Sequence, residues 1–214
     1  MNRRDFLKRS LGVAVAAGLG GLAVAKAAPV AKGGAKMKVL VLTGSPRRGG
    51  NSSVLADHFI KGATEAGHEC VRFDAAFKNV HPCIGCNHCG MDGPCVFDDD
   101  FAFVRRHVVD AGVVAFATPM YYFGISAQLK AVIDRFYAIN GQIHVPKQAV
   151  LLMTYANTAA SEAVPIKSHY EALLRYLGWK DAGQVIAPGV WPVGAVERTD
   201  YPRQAYQLGR GLVK

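Results

Sequence analysis

The sequence lacks the long basic runs, and the basic residues interleaved with aromatic ones, that a protein groove for nucleic acid requires. Its formal charge of +9 is concentrated at one end, because residues 1–28 hold five basic residues and one acidic residue. The other charges are spread along the remaining chain. We therefore do not expect a nucleic acid as a partner.

Two further features are missing. The sequence has no internal repeat, and no grouping of serine, histidine and aspartate or of paired carboxylates that would indicate side-chain catalysis. Half of the 214 residues are hydrophobic, which is enough for one substantial core but short for two. We expect one domain, and we assign no catalytic side chain.

A hydrophobic run long enough to span a membrane is also absent, since residues 11–25 fall short of the roughly 20 residues that a span needs. The run follows Arg-Arg-Asp-Phe-Leu-Lys at positions 3–8 and precedes Ala25-Lys26-Ala27. This order is typical of a signal peptide. It resembles a bacterial twin-arginine signal peptide, with cleavage after Ala27 or Ala28. The alternative is an anchor that stays in the membrane.

That resemblance predicts a signal peptide at residues 1–28, followed by a small-residue linker at residues 29–36. It implies export to the periplasm, with membrane contact only during export. Because this pathway carries folded cargo, it suits a protein that acquires a cofactor before it leaves the cytoplasm.

From Met37 onward, strand patterns and helix patterns alternate. We predict strands at 37–43, 69–73, 112–118, 148–155 and 183–187, and helices at 52–66, 99–110, 126–136, 162–177 and 201–212. The first strand is aliphatic on both faces, as in a parallel sheet. Short connections in a βα alternation give an α/β fold with a five-stranded parallel sheet and helices on both faces.

The helix after Ser126 shows one apolar face, formed by Leu129, Val132, Ile133 and Phe136. Ser126 is the expected N-terminal cap. The polar face is predicted to carry Gln128, Lys130 and Arg135.

The turn after the first strand, residues 44–53, is the usual anion site of such a sheet. It matches neither a Walker loop nor the dinucleotide glycine fingerprint. Free N–H groups at a helix start hold a phosphate well, and short polar side chains add donors. We predict phosphate ligands at Ser45, Arg47, Asn51, Ser52 and Ser53, with a simple glycine-rich turn as the alternative.

A second loop, residues 118–124, reaches the same edge of the sheet. Tyr121, Tyr122 and Phe123 offer flat apolar surfaces for a ring system. The alternative is that these aromatic residues belong to the core or to an interface.

These two loops, together with Ser-Ala-Gln-Leu-Lys-Ala-Val-Ile-Asp-Arg at positions 126–135, resemble the NADPH-dependent FMN reductase and multimeric-flavodoxin superfamily. The resemblance covers residues 37–214. It implies a flavodoxin-like FMN-binding domain with the FMN phosphate in the first loop, and a homodimer or homotetramer. It also implies that six residues border the flavin ring: Pro119, Met120, Tyr121, Tyr122, Phe123 and Gly124. The family's third flavin loop corresponds to Thr154 and Asn157.

Four cysteines fall within thirteen residues, as Cys83, Cys86, Cys89 and Cys95. Thiolates at this spacing suit an iron–sulfur cluster or zinc. The run resembles the compact motif of iron–sulfur flavoproteins, which implies a [4Fe-4S] cluster. Zinc prefers two separated pairs, and an exported protein can form disulfides instead.

On the superfamily resemblance we predict an FMN-dependent oxidoreductase that passes electrons to a small acceptor or a protein redox partner. NAD(P)H is the donor that the family name implies, whereas a quinone or protein donor suits the periplasm. Two alternatives are a flavodoxin-like electron carrier without its own substrate, and a metal-binding protein that keeps the fold but not the flavin.

Overall fold

A computed structural model describes residues 35–213 of this chain. The predicted signal peptide and nearly all of the predicted linker lie outside the described residues. The strands are β1 (Lys38–Thr43), β2 (Glu69–Asp74), β3 (Val113–Tyr121), β4 (Gly124–Ile125), β5 (Gln148–Thr154) and β6 (Lys180–Ala187). The helices are α1 (Asn51–Glu65), α2 (Phe101–Asp110), α3 (Ala127–Asp134), α4 (Asn140–Ile143), α5 (Val164–Leu177) and α6 (Tyr201–Arg210).

The sheet confirms the predicted α/β fold. Its parallel strands follow the order β2-β1-β3-β5-β6, so five strands are parallel as predicted. The sixth strand, β4, is a two-residue antiparallel addition to the end of β3. No helix within residues 35–213 is both long and apolar enough to cross a membrane.

Two core layers lie on opposite faces of the sheet, because successive strand residues point to opposite sides. Val39 and Val41 of β1 belong to the layer under α1 and α6. Leu40 and Leu42 belong to the layer under α2, α3 and α5. The strands are buried on both faces, which explains why β1 is aliphatic at almost every position.

Strand order reverses between β1 and β3, since the chain continues from β1 toward one edge and from β3 toward the other. Ligands of open α/β sheets bind beyond the carboxyl ends of the strands at such a point. The loops after β1, β3, β5 and β6 all leave from this edge.

The structure corrects two predictions. Strand β3 continues past the predicted end at Thr118 to Tyr121, so Pro119, Met120 and Tyr121 are strand residues and not part of an irregular loop. Arg135 was predicted on a polar helix face, but its side chain is 2% exposed. Helix α3 ends at Asp134, and Arg135 begins a 3₁₀ turn. The 3.6-residue period on which the prediction depended does not hold in such a turn.

Candidate functional site

A cleft of about 460 Å³, open mouth included, lies at the carboxyl edge between the loops after β1, β3, β5 and β6. Its lining includes eight predicted residues: Ser45, Arg47, Asn51, Ser52, Pro119, Met120, Tyr121 and Thr154. The other predicted residues, Ser53, Tyr122, Phe123, Gly124 and Asn157, are outside this lining. The structure thus brings the three predicted loops together around one space.

The first loop packs closely against β3 and the start of α3. Gly44 donates its N–H to the Ala117 carbonyl at 2.9 Å. A Cβ at Gly44 would collide with the Ser126 hydroxyl and would lie 2.7 Å from the Leu129 Cβ, so only glycine fits there. Ser126 caps α3 as predicted, because its Oγ accepts from the Leu129 N–H at 3.4 Å.

The start of α1 leaves polar donors without partners. Hydrogen bonding within the helix begins with the Val54 N–H, which donates to the Gly50 carbonyl at 3.0 Å. The first N–H groups of a helix have no partner within the helix and carry the positive end of its dipole. Ser52, 1% exposed, holds a buried hydroxyl that finds no hydrogen-bond partner in the described part of the chain. This turn is therefore suited to an anion.

Asn51 has a different side-chain role from the predicted one. Its amide nitrogen donates to the carbonyls of Val190 and Pro192 at 3.1 and 2.9 Å, and its amide oxygen accepts from the Val196 N–H at 3.2 Å. The side chain therefore fastens the segment after β6 to the start of α1. Only the backbone N–H of Asn51 remains for an anion.

Arg47 closes one side of the cleft. Its guanidinium donates to the Trp191 carbonyl at 3.2 Å and lies 5.4 Å from the centre of the Trp191 indole ring. A cation–π contact of this kind holds the guanidinium over the ring. Arg47 thus places a positive charge at the mouth of the cleft, near the open N-terminus of α1.

The aromatic residues at the end of β3 form a strained two-residue hairpin. Tyr122 and Phe123 have φ values of +46° and +62°, a region that non-glycine residues rarely occupy. Tyr122 is fully exposed, and Tyr121 and Phe123 are 40% and 52% exposed. Strained, exposed aromatic residues beside a cleft indicate a surface kept for a ligand or partner.

The loop after β5 contributes Thr154, Tyr155 and Ala156 to the cleft. Burial, and the negative charges of Glu162 and Tyr201 when they are ionised, raise the pKa of Tyr155. The Tyr155 hydroxyl therefore keeps its proton, and it donates to the Ala159 carbonyl at 3.2 Å. Asn157 pairs through its amide with Glu162 at 2.9 Å instead of facing the cleft.

Sequence analysis did not identify the fourth segment that lines the cleft. Val190, Trp191 and Val193 line the cleft from the segment after β6. Trp191 is 64% exposed despite its large apolar side chain. The signal was available, because this segment follows a parallel strand and is rich in glycine and proline.

The four cysteines surround a second space. Cys83, Cys86, Cys89 and Cys95 all line one cavity of about 320 Å³, open mouth included, together with Ile84, Val96, Phe97, Arg135 and other residues. All four thiols are free, and they are exposed or half-buried. Within residues 35–213, no three His, Cys, Asp or Glu side chains already converge as metal ligands do.

The cysteine loop, residues 82–98, is closed by a set of polar contacts that we call the neck. Asp99 accepts from the His81 N–H at 3.0 Å, and Arg135 donates to the His81 carbonyl at 2.9 Å. Asn79 and Asp100 add two more hydrogen bonds, at 2.8 and 2.9 Å. The loop therefore begins and ends at fixed points.

Asp99 is the centre of the neck. Burial alone would raise the pKa of Asp99, but hydrogen bonds from Arg135 and from the His81 and Phe101 N–H groups outweigh it and hold the pKa below its usual range. Asp99 also accepts from the Phe101 N–H at 3.1 Å, which confirms its predicted place at the start of α2.

Comparisons with known proteins identify the family of this chain. Residues 37–188 match the model of the NADPH-dependent FMN reductase family. An iron–sulfur flavoprotein of Archaeoglobus fulgidus is 32% identical over 182 residues, which are 83% of this chain and 80% of that protein.

Two solved structures show the fold. An NAD(P)H:quinone oxidoreductase from Methanothermobacter marburgensis has a TM-score of 0.68 at 21% identity, over 82% of this chain and 96% of that one. A flavodoxin from the domain Archaea has a TM-score of 0.53 at 10% identity, over 81% and 94%. The chain therefore belongs to the NADPH-dependent FMN reductase family and is an FMN-dependent oxidoreductase with a flavodoxin-like fold.

Proposed function

We propose that FMN binds in the cleft with its phosphate at the start of α1. The observation that carries this proposal is the Ser52 hydroxyl, which is buried at the first turn of α1 and has no partner among the described residues. A buried hydroxyl without a partner costs about 1–3 kcal/mol. A phosphate oxygen at this position would accept from Ser52 and from the open N–H groups of the same turn.

The other residues of the cleft fit the rest of the cofactor. Arg47 supplies the positive charge that a phosphate needs, and Ser45 lines the same cleft from the first loop. Pro119, Met120 and Tyr121 line the cleft from the end of β3, and Trp191 lines it from the segment after β6, so both segments offer apolar surface to a flat ring. FMN, when bound, supplies hydride and electron transfer, while these residues hold and orient it.

We further propose that Cys83, Cys86, Cys89 and Cys95 hold a [4Fe-4S] cluster. Four free thiols that line one cavity fit the thiolate ligand set that such a cluster takes. The Archaeoglobus fulgidus relative is named an iron–sulfur flavoprotein. The cluster would supply one-electron transfer next to the flavoprotein domain.

The N-terminal sequence supports export through the twin-arginine pathway and function in the periplasm. NAD(P)H is the donor of the family, but no free nicotinamide pool is expected outside the cytoplasm. We therefore propose a quinone or a redox protein as the physiological donor. The quinone oxidoreductase from Methanothermobacter marburgensis shows that this fold supports quinone chemistry in another protein.

We also propose a homo-oligomer. Tyr122, Phe123 and Trp191 expose large aromatic surfaces around the mouth of the cleft. A second copy of the chain would cover them and shield a bound flavin from water. Sedimentation of the FMN-loaded protein as a monomer at micromolar concentration would contradict this proposal.

The first experiment is an anaerobic visible spectrum of the purified protein, with iron and sulfide assayed on the same sample. Flavin bands with stoichiometric iron would support both cofactors. Flavin bands without iron would remove the cluster and leave a simple FMN oxidoreductase. A colourless protein that takes up no added FMN would contradict the central proposal.

Ser52→Ala tests the phosphate position. Losing one hydrogen bond to a charged group removes about 1.5–3 kcal/mol, so we expect the FMN Kd to rise by roughly ten- to hundredfold. Ser168→Ala, an exposed serine on α5, is the matched control and should leave the Kd unchanged. The two Kd values are measured by quenching of FMN fluorescence, and equal values would contradict the assignment.

Export is tested by fractionation of cells that express the full chain. We expect the protein in the periplasm, and Arg3→Lys with Arg4→Lys should retain it in the cytoplasm. Equal distribution of both forms would contradict twin-arginine export. Turnover with NADPH and with a soluble quinol then separates the two donor classes, and no turnover with either would favour the carrier alternative.

A further inference from the structure

The cavity around the four cysteines is also lined by Arg135, whose side chain carries a positive charge. Its guanidinium has little freedom. It donates to both Asp99 carboxylate oxygens, at 2.8 and 3.2 Å, and to the His81 carbonyl at 2.9 Å. The rings of Phe97 and Phe101 lie 5.3 and 4.8 Å from its Cζ. A cation is thus fixed at the cavity wall.

One donor of this guanidinium is unused. The Nε atom of Arg135 is buried and has no hydrogen-bond partner in the described part of the chain. An unsatisfied buried donor costs free energy unless an acceptor arrives. Besides Arg135, apolar groups and the four thiols, the lining holds two polar side chains, Asn87 and Tyr137, and the Asn87 amide oxygen already accepts from the Tyr137 hydroxyl at 3.0 Å. An anionic sulfur is therefore the acceptor that the four thiols offer to this Nε–H.

The negative partner of Arg135, the Asp99 carboxylate, lies outside the lining of the cavity. Asp99 is 1% exposed, and it is not among the residues that line the cavity within the described chain. Its carboxylate is occupied by Arg135 and by the His81 and Phe101 N–H groups. Arg135, and not Asp99, is therefore the member of the ion pair that lines the cavity with the four cysteines.

We propose that Arg135 is a positioning residue for the cluster, which donates its Nε–H to an anionic sulfur and raises the reduction potential. This inference rests on the cluster of the proposed function. Reduction of such a cluster would take one electron from the donor of the proposed function and would break no bond. The reduced cluster is more negative by one charge, so a fixed cation and a hydrogen bond to sulfur stabilise it more than the oxidised form.

The test is a redox titration of the reconstituted, FMN-loaded full chain, followed by electron paramagnetic resonance of the reduced cluster. The main variant is Arg135→Gln with Asp99→Asn, because both partners become neutral together and no buried charge is left alone. We expect reduction to become at least tenfold less favourable, which is 59 mV for one electron.

Arg105→Gln is the matched control. Arg105 donates to the Gly93 carbonyl at 2.8 Å, so it anchors the same loop, but it does not line the cavity within the described residues. We expect the wild-type potential for this variant. If the control and the double variant shift equally, loop anchoring explains the effect and the proposal is wrong. An unchanged reduction potential in the double variant would also contradict the proposal.

Arg135→Lys is the second variant, in case the double variant fails to load iron. It keeps the charge and the Asp99 partner but loses the Nε–H, so we expect a smaller drop in potential. A wild-type potential in Arg135→Lys would overturn the hydrogen bond to sulfur. If the wild-type protein takes up no stoichiometric iron and sulfide, the proposed cluster is wrong. That result differs from a cluster that binds but has the same reduction potential with and without Arg135.

Discussion

The phosphate loop, residues 44–53, and the cysteine loop, residues 82–98, are built in opposite ways. The phosphate loop connects a buried strand to a buried helix start, so the backbone of the fold fixes it. The cysteine loop contains no strand or helix, and its thiols are exposed or half-buried. It depends on the neck formed by Asp99, Arg135 and their backbone partners.

This contrast in construction determines which substitutions damage each site. A phosphate site built mainly from open N–H groups keeps most of its donors when one side chain such as Ser52 is changed, because those donors belong to the backbone. A loop held by a buried ion pair fails when one partner is removed, because the other is left charged and buried. The two loops are therefore expected to respond differently to substitution and to acid.

The largest effect is expected from Asp99→Ala, which leaves Arg135 buried without its carboxylate. Removing one partner of a buried ion pair costs about 3–5 kcal/mol. We expect this loss in the free energy of unfolding in urea, together with loss of iron binding. Asp98→Asn, on the exposed neighbour, is the control and should stay within about 0.5 kcal/mol of wild type. A small loss in Asp99→Ala would mean that the neck does not hold the loop.

Gly44→Ala tests the backbone-built loop in the same way. The new Cβ would collide with the Ser126 hydroxyl and press against the Leu129 Cβ. Overpacking of this kind costs about 1–3 kcal/mol, and the shift of the loop should weaken FMN binding as well. Gly112→Ala is the control, because a Cβ there has its nearest neighbours at 3.8 Å. Thermal unfolding and FMN titration of both variants measure the difference.

Low pH should weaken the ion pair and hydrogen bonds of the neck more than it weakens the phosphate loop. The pKa of Asp99 is lower in the folded protein than its ordinary value of about 3.9, since the bonds from Arg135 and two N–H groups outweigh burial. The ionised carboxylate therefore contributes stability that is fully present above about pH 4 and is lost as the pH falls through the folded-state pKa.

Urea unfolding at several pH values measures this contribution. The stability difference between wild type and the Asp99→Asn, Arg135→Gln double variant should change as the pH falls below about 4, in the direction that disfavours wild type. The FMN Kd should be less affected over the same range, because the proposed phosphate donors at the start of α1 are backbone N–H groups and the Ser52 hydroxyl. A difference that is constant with pH would contradict the role of the ionised Asp99.

The sequence was sufficient for the parallel sheet, because hydrophobic periodicity is local. It was also sufficient to bring the loops around Ser52, Tyr121 and Thr154 to one edge, since parallel strands end together. It could not predict the partners of Asn51 and Arg135. Asn51 bonds to residues about 140 positions away, and Arg135 bonds to Asp99 across 36 positions. Such pairings follow from packing, which one sequence does not display.

The smallest effect on stability is expected at the aromatic hairpin, where the backbone conformation and flavin binding favour different side chains. Tyr122 is fully exposed and adopts a left-handed backbone with φ of +46°. Asparagine tolerates this conformation, so Tyr122→Asn should stabilise the flavin-free protein by about 1 kcal/mol. The same change removes an aromatic surface beside the cleft and should weaken FMN binding.

Tyr122→Phe is the control for this last prediction, because it keeps the ring and the strained backbone together. Its stability and its FMN Kd should both match wild type. If Tyr122→Asn gains stability and also keeps the wild-type Kd, the strain at the hairpin does not serve the flavin. The aromatic surface would then have to be assigned to the contact between copies of the chain, which sedimentation of the same variant measures directly.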